Sequence, residues 1–349
     1  SPLYISEVSA AQYRGRMVTL YQLAITVGFL GAYLVNFGLL NFSTGGAEQL
    51  TSAAWHRIFC SEPWRGMLGI ETLPALLFFA TIFFIPESPR WLILRQREEK
   101  AKHTLLRIFR TEAAAMSQLS ETKAVVQHET RSEWKTLLQP GIRKAVLIGA
   151  AIAILGQFMG VNAVLYYGPT IFESNGLSGG DSLFYQVMVG LANMLATVIA
   201  VLIIDKVGRK KLIYYGVSAM IVFLLLIAGY FLQGEALGLS GVWLLVFFMA
   251  YIFSTAVSIS AVIFVLLSEM YPTKVRGLAM SIAGLSLWTG TYLIGQLTPW
   301  LLGALLPAGT FVLFAVMCIP YMLIMWKLVP ETTGKSLEEI EKHWERQKK

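Results

Sequence analysis

Residues 145–167 read AVLIGAAIAILGQFMGVNAVLYY, a stretch in which no residue carries a charge. A helix needs about 20 apolar residues to cross the hydrocarbon core of a bilayer, which is roughly 30 Å thick. Lipid cannot hydrogen-bond to peptide groups, and the stretch lacks the alternation of polar and apolar residues typical of barrel strands. We therefore predict a membrane-spanning helix over these residues.

Seven similar apolar stretches flank this one along the chain. They lie at about 17–40, 67–85, 183–204, 212–232, 241–267, 278–303 and 308–326. The chain as a whole is 56% apolar and 14% charged, which is too apolar for a soluble protein of 349 residues. The predicted fold class is an all-α polytopic membrane protein with eight spans.

The basic residues lie almost entirely on one side of the predicted spans. Of the 28 Lys and Arg residues, Arg57 and Arg65 are the two that fall on the opposite side when the spans alternate in direction. Cytoplasmic loops of membrane proteins carry the excess of Lys and Arg. Both ends of this chain are therefore predicted to be cytoplasmic.

A long polar insert separates the second span from the third. It has helical periodicity, with a predicted apolar stripe of Trp91, Leu94, Ala101, Leu105, Ile108 and Phe109. Residues 112–133 are polar and more weakly patterned. We favour helices there, and the alternative is a solvated linker. The predicted organisation is an N-terminal part (1–86), a cytoplasmic helical linker (87–142), a C-terminal six-helix bundle (143–329) and a cytoplasmic tail (330–349).

Two segments repeat in the chain, SEVSAAQYRG at 6–15 and SEMYPTKVRG at 268–277. Each is followed by two spans and then by a Pro-Glu pair. Parallel halves of this kind are typical of one large transporter architecture. Four spans lie between the polar insert and the second copy, and none precedes the first. The repeat predicts a twelve-span fold of which this chain lacks the first four spans.

The same repeat places oppositely charged side chains at corresponding helix ends. Glu7 can pair with Arg14, and Glu269 with Arg276, in charge-assisted bonds that hold one arrangement of the bundle closed. The segment DKVGRKK adds Asp205 and Arg209 as a third candidate gate. The alternative is a set of static surface ion pairs, each worth less than about 1 kcal/mol.

Four strings resemble those of the sugar porter family of the major facilitator superfamily: PESPRW (86–91), DKVGRK (205–210), SEMYPTKVRG (268–277) and PETTGKSLEE (330–339). The similarity covers nearly the whole chain and is greatest to bacterial sugar–proton symporters of the D-xylose and D-galactose type. The resemblance implies the major facilitator fold, alternating access, a sugar and protons as substrates, and a monomer in the cell inner membrane.

Polar side chains inside apolar spans are costly unless they pair or line a cavity. Gln157, Asn162 and Tyr166 recur in one span around Gly160, and carboxamides can engage neighbouring sugar hydroxyls. The resemblance implies that all three are substrate-binding, together with Gln22, Asn193 and Trp288. The alternative is that these amides join helices to one another.

Glu71 stands inside a predicted span, where apolar surroundings favour the protonated form of a carboxyl group. Its position resembles a Glu of the proton-coupling network in the family, which suits a proton carrier. The alternative is a Glu that faces a water-filled outer vestibule.

Other classes of protein fit the sequence less well. The four histidines lie in predicted loops and the two cysteines in different compartments, so we expect no metal site, no cofactor and no enzyme. The net charge of +7 reflects short basic loops, and no nucleic acid is expected. Proton-coupled symport is the first hypothesis. The alternatives are a facilitative uniporter of a sugar or cyclitol, and a truncated remnant or sensor that does not transport.

Overall fold

A computed structural model describes most of the chain. The described residues are Tyr4, Ile5, Val8, 14–45, 52–109, 111–128, 137–271, 275–332, Ile340 and Trp344. Their regular structure is entirely helical, which confirms the all-α prediction. The chain forms two compact units, residues 1–132 and 133–349.

The first unit contains a long helix, an interrupted span and a set of short helices. The helices are α1 (Arg14–Gly45), α2 (Ala53–His56), α3 (Pro63–Ile70), α4 (Thr72–Ile82), α5 (Pro89–Leu94), α6 (Glu98–Phe109) and α7 (Glu112–His128), with a π-helical turn over Arg57–Ser61. Glu71 separates α3 from α4. The interruption has a local cause, because Pro74 has no N–H to donate to the carbonyl of Ile70.

The predicted linker region forms helices α5 to α7. Helix α7 lies within the weakly patterned stretch. Their shared core consists of buried aliphatic side chains. Those residues are Leu92, Ala101, Leu105, Ala115 and Leu119, with Ile93, Leu106 and Phe109 packed against them. The predicted stripe was wrong at its start, because Trp91 and Leu94 are exposed. Ser88 caps α5 and sets this rotation by accepting a hydrogen bond from the Trp91 N–H.

The second unit is a bundle of longer helices. They are α8 (Pro140–Phe158), α9 (Val161–Glu173), α10 (Gly179–Val207), α11 (Arg209–Gln233), α12 (Gly241–Thr255), α13 (Ala261–Met270), α14 (Arg276–Ala304) and α15 (Leu306–Lys327). A π-helical turn over Ala256–Ser260 joins α12 to α13. Helix α14 packs along α8, and α15 packs along α11.

Eight helical segments of the described chain are long and apolar enough to cross a membrane. They are Leu20–Gly45, Pro63–Ile82, Pro140–Glu173, Gly179–Ile204, Arg209–Gln233, Gly241–Met270, Arg276–Ala304 and Leu306–Lys327. Each corresponds to one of the eight predicted stretches, which confirms the number of spans.

Aromatic side chains fill one end of the second unit. Phe248 lies between Phe172 and Phe311, with ring centroids 5.1 and 5.4 Å away and the rings inclined edge to face. Phe314 extends the cluster, 5.9 Å from Phe311. Edge-to-face pairs each add about 0.5–1.5 kcal/mol beyond their buried area, so the cluster fixes the packing of α9, α12 and α15.

Helix α9 contains Pro169, whose missing N–H leaves the carbonyl of Leu165 without its helical donor. Gln186 on α10 supplies the replacement. Its side-chain Nε2 donates to the carbonyl of Leu165 at 3.1 Å and to that of Val164 at 3.3 Å. Gly168 makes this approach possible, since a Cβ there would lie 1.9 Å from the Gln186 Oε1. Gln186 therefore joins α10 to α9 at the proline.

This arrangement predicts a coupling between Gln186 and Pro169. Gln186→Leu removes both hydrogen bonds and should lower the free energy of unfolding by about 1 kcal/mol. Pro169→Ala restores a helical N–H for Leu165, so Gln186→Leu should cost less in that background. Thermal unfolding of the four proteins in detergent gives the coupling energy, and equal costs in both backgrounds would contradict this account.

Candidate functional site

The third span is interrupted at Met159 and Gly160, between α8 and α9. Gly160 has φ +90°, and a Cβ there would lie 2.2 Å from the ring of Phe314, so no side chain fits. The hydroxyl of Tyr251 donates to the carbonyl of Met159 at 2.7 Å. The neighbouring span thus satisfies a backbone group that the interruption frees.

The interruption brings two amide side chains together. In a continuous helix, residues five apart would point about 140° away from each other. Here the Nδ2 of Asn162 donates to the Oε1 of Gln157 at 2.8 Å. The hydroxyl of Thr291 on α14 lies 3.2 Å from the same oxygen and 3.0 Å from the carbonyl of Leu287, so its single proton can be donated to either. Gly290 allows the close approach of α14 to α8. We call Gln157, Asn162 and Thr291 the amide cluster.

Sequence reasoning found two members of the amide cluster and missed Thr291. The sequence did offer a signal for Thr291. It follows Trp288 by three residues, so the two side chains lie on neighbouring turns of α14. Trp288 is 57% exposed and Tyr166 is 44% exposed, so both rings present accessible faces. No described hydrogen bond joins either of them to the amide cluster.

The remaining predicted substrate residues lie elsewhere. Asn193 is buried on α10, and none of the hydrogen bonds described for the chain links its amide to the cluster. Gln22 is half-buried on α1 in the first unit. The structure therefore brings together Gln157 and Asn162 and leaves the other assignments as predictions.

Glu71 is exposed at the junction of α3 and α4, nine residues into the second span. The spans as observed are longer than predicted and include other charged residues. In the described spans, each of these other residues is among the first five or the last five residues of its span. Glu71 is thus the deepest charged residue of the described spans.

A second polar group lies at the end of the second unit where α8 and α11 begin and α15 ends. We call this the basic end. The guanidinium of Arg209 contacts the carboxylate of Glu269 at 2.9 Å, and the hydroxyl of Thr332 donates to the same carboxylate at 2.6 Å. The Nζ of Lys210 donates to the carbonyl of Val329 at 2.8 Å. These contacts tie together α11, α13 and the segment after α15.

The predicted pairing of Glu269 with Arg276 was wrong for this conformation. Glu269 contacts Arg209, which follows the left-handed turn at Gly208, while Arg276 donates to the carbonyl of Tyr271 at 3.4 Å. Arg209 was predicted as a gating residue, without a named partner. Glu7 lies outside the described residues, and so do the side chains of Arg14 and Asp205.

The polypeptide near the Glu269 carboxylate is tightly packed. Trp344 is buried and donates through its indole N–H to the carbonyl of Met270 at 2.9 Å. Tyr271 is also buried, and burial raises the pKa of its hydroxyl. Gly149 accommodates that ring, because a Cβ there would lie 1.8 Å from the hydroxyl oxygen.

Gly160 is predicted to tolerate no side chain. Gly160→Ala combines a strained backbone with overlap on Phe314, so it should lower the free energy of unfolding by about 2–4 kcal/mol. The matched control is Gly284→Ala on α14, where a Cβ meets nothing within 4 Å. Thermal unfolding in detergent should separate the two variants. Equal melting temperatures would show that the left-handed turn is not required.

Eight apolar helices that are long enough to cross a membrane define a polytopic helical membrane protein. The family model described as "Sugar (and other) transporter" matches residues 1–344. The chain belongs to this family. Members are transporters rather than enzymes, and within the described residues no group of three metal-ligating side chains occurs.

Named relatives are bacterial sugar transporters. The chain is 34% identical over 342 residues to a glucose transporter of Staphylococcus epidermidis, covering 97% of this chain and 71% of that protein. It is 34% identical to the arabinose–proton symporter of Bacillus subtilis, covering 99% of this chain and 71% of the relative. The D-xylose–proton symporter of Escherichia coli is also 34% identical, with 99% and 68% covered.

Solved structures of the Escherichia coli xylose transporter have the same fold. Its inward-open conformation matches 98% of this chain and 68% of its own with a TM-score of 0.77 and 31% identity. The proton:xylose symporter bound to 6-bromo-6-deoxy-D-glucose matches with a TM-score of 0.76 and 32% identity, over 98% and 70% of the two chains. The fold is therefore that of the major facilitator superfamily.

Proposed function

We propose that this chain carries a monosaccharide across the cell membrane by alternating access, coupled to protons. The amide cluster at the helix interruption is the observation that supports this most directly. Its carboxamides offer donors and acceptors side by side, which suits the vicinal hydroxyls of a sugar ring. Relatives named as glucose, arabinose–proton and D-xylose–proton transporters point to the same substrate class.

The amide cluster would bind a sugar by exchanging partners. Asn162 donates to the Oε1 of Gln157, and the hydroxyl of Thr291 can donate either to that oxygen or to the carbonyl of Leu287. A sugar hydroxyl that replaces either donor leaves that donor free to bond to another hydroxyl. The exposed faces of Tyr166 and Trp288 offer apolar surface for the C–H groups of the ring. Asn193 and Gln22 are proposed as additional contacts on the strength of the family resemblance.

Sugar binding should depend on the Gln157 carboxamide. Gln157→Ala removes the acceptor that organises the cluster and at least one bond to the ligand, so affinity should fall about tenfold or more. Gln233→Ala, at the exposed end of α11, removes an amide of the same kind away from the cluster and serves as the control. Calorimetric titration of the purified chain with D-glucose, D-xylose, L-arabinose and D-galactose provides the measurement. Equal affinities for both variants would contradict the proposed site.

Glu71 is proposed as the proton-coupling residue. It is the deepest charged residue of the described spans, and it lies exposed at the interruption between α3 and α4. A carboxyl group can take up and release a proton, and a membrane span penalises a bare charge more than a neutral group.

Coupling is tested by separating accumulation from exchange. In proteoliposomes with acid outside, Glu71→Gln should abolish sugar accumulation while sugar-for-sugar exchange continues. Glu235→Gln, in the exposed turn after α11, is the matched control and should accumulate sugar normally. Unchanged accumulation by Glu71→Gln would favour the alternative of a facilitative uniporter for a sugar or cyclitol. Absence of both activities from the unmodified chain would favour a remnant or sensor that does not transport.

The pair of Arg209 and Glu269 is proposed as a gate. Both side chains are mostly shielded from solvent, with 12% and 25% of their surface exposed, which strengthens the charge interaction relative to an open surface pair. The pair joins α11 to α13, so separating these helices requires its rupture. By the repeat, Glu7, Arg14, Asp205 and Arg276 are proposed to act at the corresponding helix ends.

Loss of a gating pair should free the two helix ends that it joins, whereas loss of a static pair should lower the stability of the whole second unit. Glu269→Gln should increase amide hydrogen exchange in residues 204–211 and 265–271 several-fold while exchange elsewhere in the bundle stays constant. Lys211→Gln, which removes an exposed neighbouring charge, should leave exchange unchanged. A uniform rise across the whole second unit would show that the pair serves stability alone.

The remaining proposals concern architecture. The eight spans are proposed to correspond to the last eight of a twelve-span fold, divided as residues 1–86, 87–142, 143–329 and 330–349. The excess of basic loops supports a cytoplasmic location for the basic end and for both ends of this chain. The protein is proposed to act as a monomer.

A further inference from the structure

A groove runs between α8 and α15 at the basic end of the second unit. Its volume is about 430 Å³. It starts at Pro140, where α8 begins, and Ile324 and Leu328 of α15 form the opposite wall. All of its lining residues belong to these two helix ends, so the groove is complete within one unit.

The groove has a polar mouth and an apolar interior. On α8 it is lined by Arg143 and Lys144, then by Leu147 and, one turn further, by Ala151. These positions follow one face of the helix from its first turn inward, over a length of about 16 Å from Pro140. The two cations therefore lie at the membrane surface end, and the wall becomes purely aliphatic towards the centre of the span.

Neither cation is neutralised by an acidic residue of the described chain. Both side chains are exposed, and among the described residues no acidic group forms an ion pair with Arg143 or Lys144. Arg209, at the same end of the unit, differs because it is engaged by Glu269. Two adjacent cations at the start of a helix also lie at the positive end of the helix dipole, which raises the local positive potential further.

We propose that this groove binds an anionic phospholipid. The phosphate would bond to Arg143 and Lys144, and one acyl chain would lie along Leu147, Ala151 and Ile324. Basic pockets between membrane helices bind anionic headgroups. A free phosphate would contact the cations alone, whereas a phospholipid would also cover the aliphatic part of the groove. The continuous aliphatic wall therefore favours a lipid over a soluble anion.

This site is separate from the proposed sugar site and does not depend on transport. None of its lining residues belongs to the amide cluster or to the Arg209–Glu269 pair. Its occupancy can therefore be measured on the purified chain in detergent, whatever the outcome of the transport experiments.

The first test is lipid selectivity in native mass spectrometry. The purified 349-residue chain should retain phosphatidylglycerol at least tenfold better than phosphatidylcholine of the same chain length. Arg143→Gln with Lys144→Gln should remove this preference. Lys100→Gln with Arg107→Gln removes the same charge from exposed positions in the linker helices and should leave the preference intact. An equal loss in both double variants would show a general charge effect and would overturn the proposal.

The second test separates a lipid from a soluble phosphate. Ala151→Phe fills the aliphatic part of the groove and leaves both cations in place, so phosphatidylglycerol retention should fall about tenfold. Glycerol phosphate at equal concentration should not displace the lipid from the unmodified chain. Displacement by glycerol phosphate, or full retention by Ala151→Phe with an unchanged melting temperature, would overturn the proposal.

Discussion

A bilayer offers no water to a peptide group, and this constraint organises the second unit. One of its spans is interrupted at Gly160 and contains Pro169, yet carbonyl groups freed at both places have donors from a neighbouring span. Tyr251 serves the first and Gln186 the second. Each irregularity therefore also fastens two helices together. The same positions allow helical backbone to change direction within the apolar layer without an unsatisfied group.

The interruption at Gly160 creates local chemistry that a regular helix could not provide. It rotates Asn162 towards Gln157, and the small residue Gly290 lets Thr291 reach the same oxygen. A polar group is thereby assembled from two spans at a point where the backbone is already irregular. Irregular backbone that lines a binding region is typical of transporters in which the substrate lies near the middle of the membrane.

The sequence predicted the helical class and the eight spans, because span length and charge asymmetry are properties of composition over long windows. It located Gln157 and Asn162, since amides are conspicuous in apolar stretches. Thr291 was missed, because a threonine in a span is unremarkable until its neighbour is known. The partner of Glu269 was misjudged for a similar reason: Arg276 is near in sequence, whereas Arg209 is near only after folding.

The shared oxygen of Gln157 has a thermodynamic consequence. This acceptor already receives the Asn162 amide proton and has the Thr291 hydroxyl within reach, so a sugar hydroxyl at the proposed site would compete with bonds that the protein makes to itself. The free energy gained is the difference between two bonds of similar strength, which keeps the bound state shallow. At the proposed site, cargo held in this way would dissociate quickly, and a carrier that completes one cycle per molecule turns over faster when its cargo departs readily.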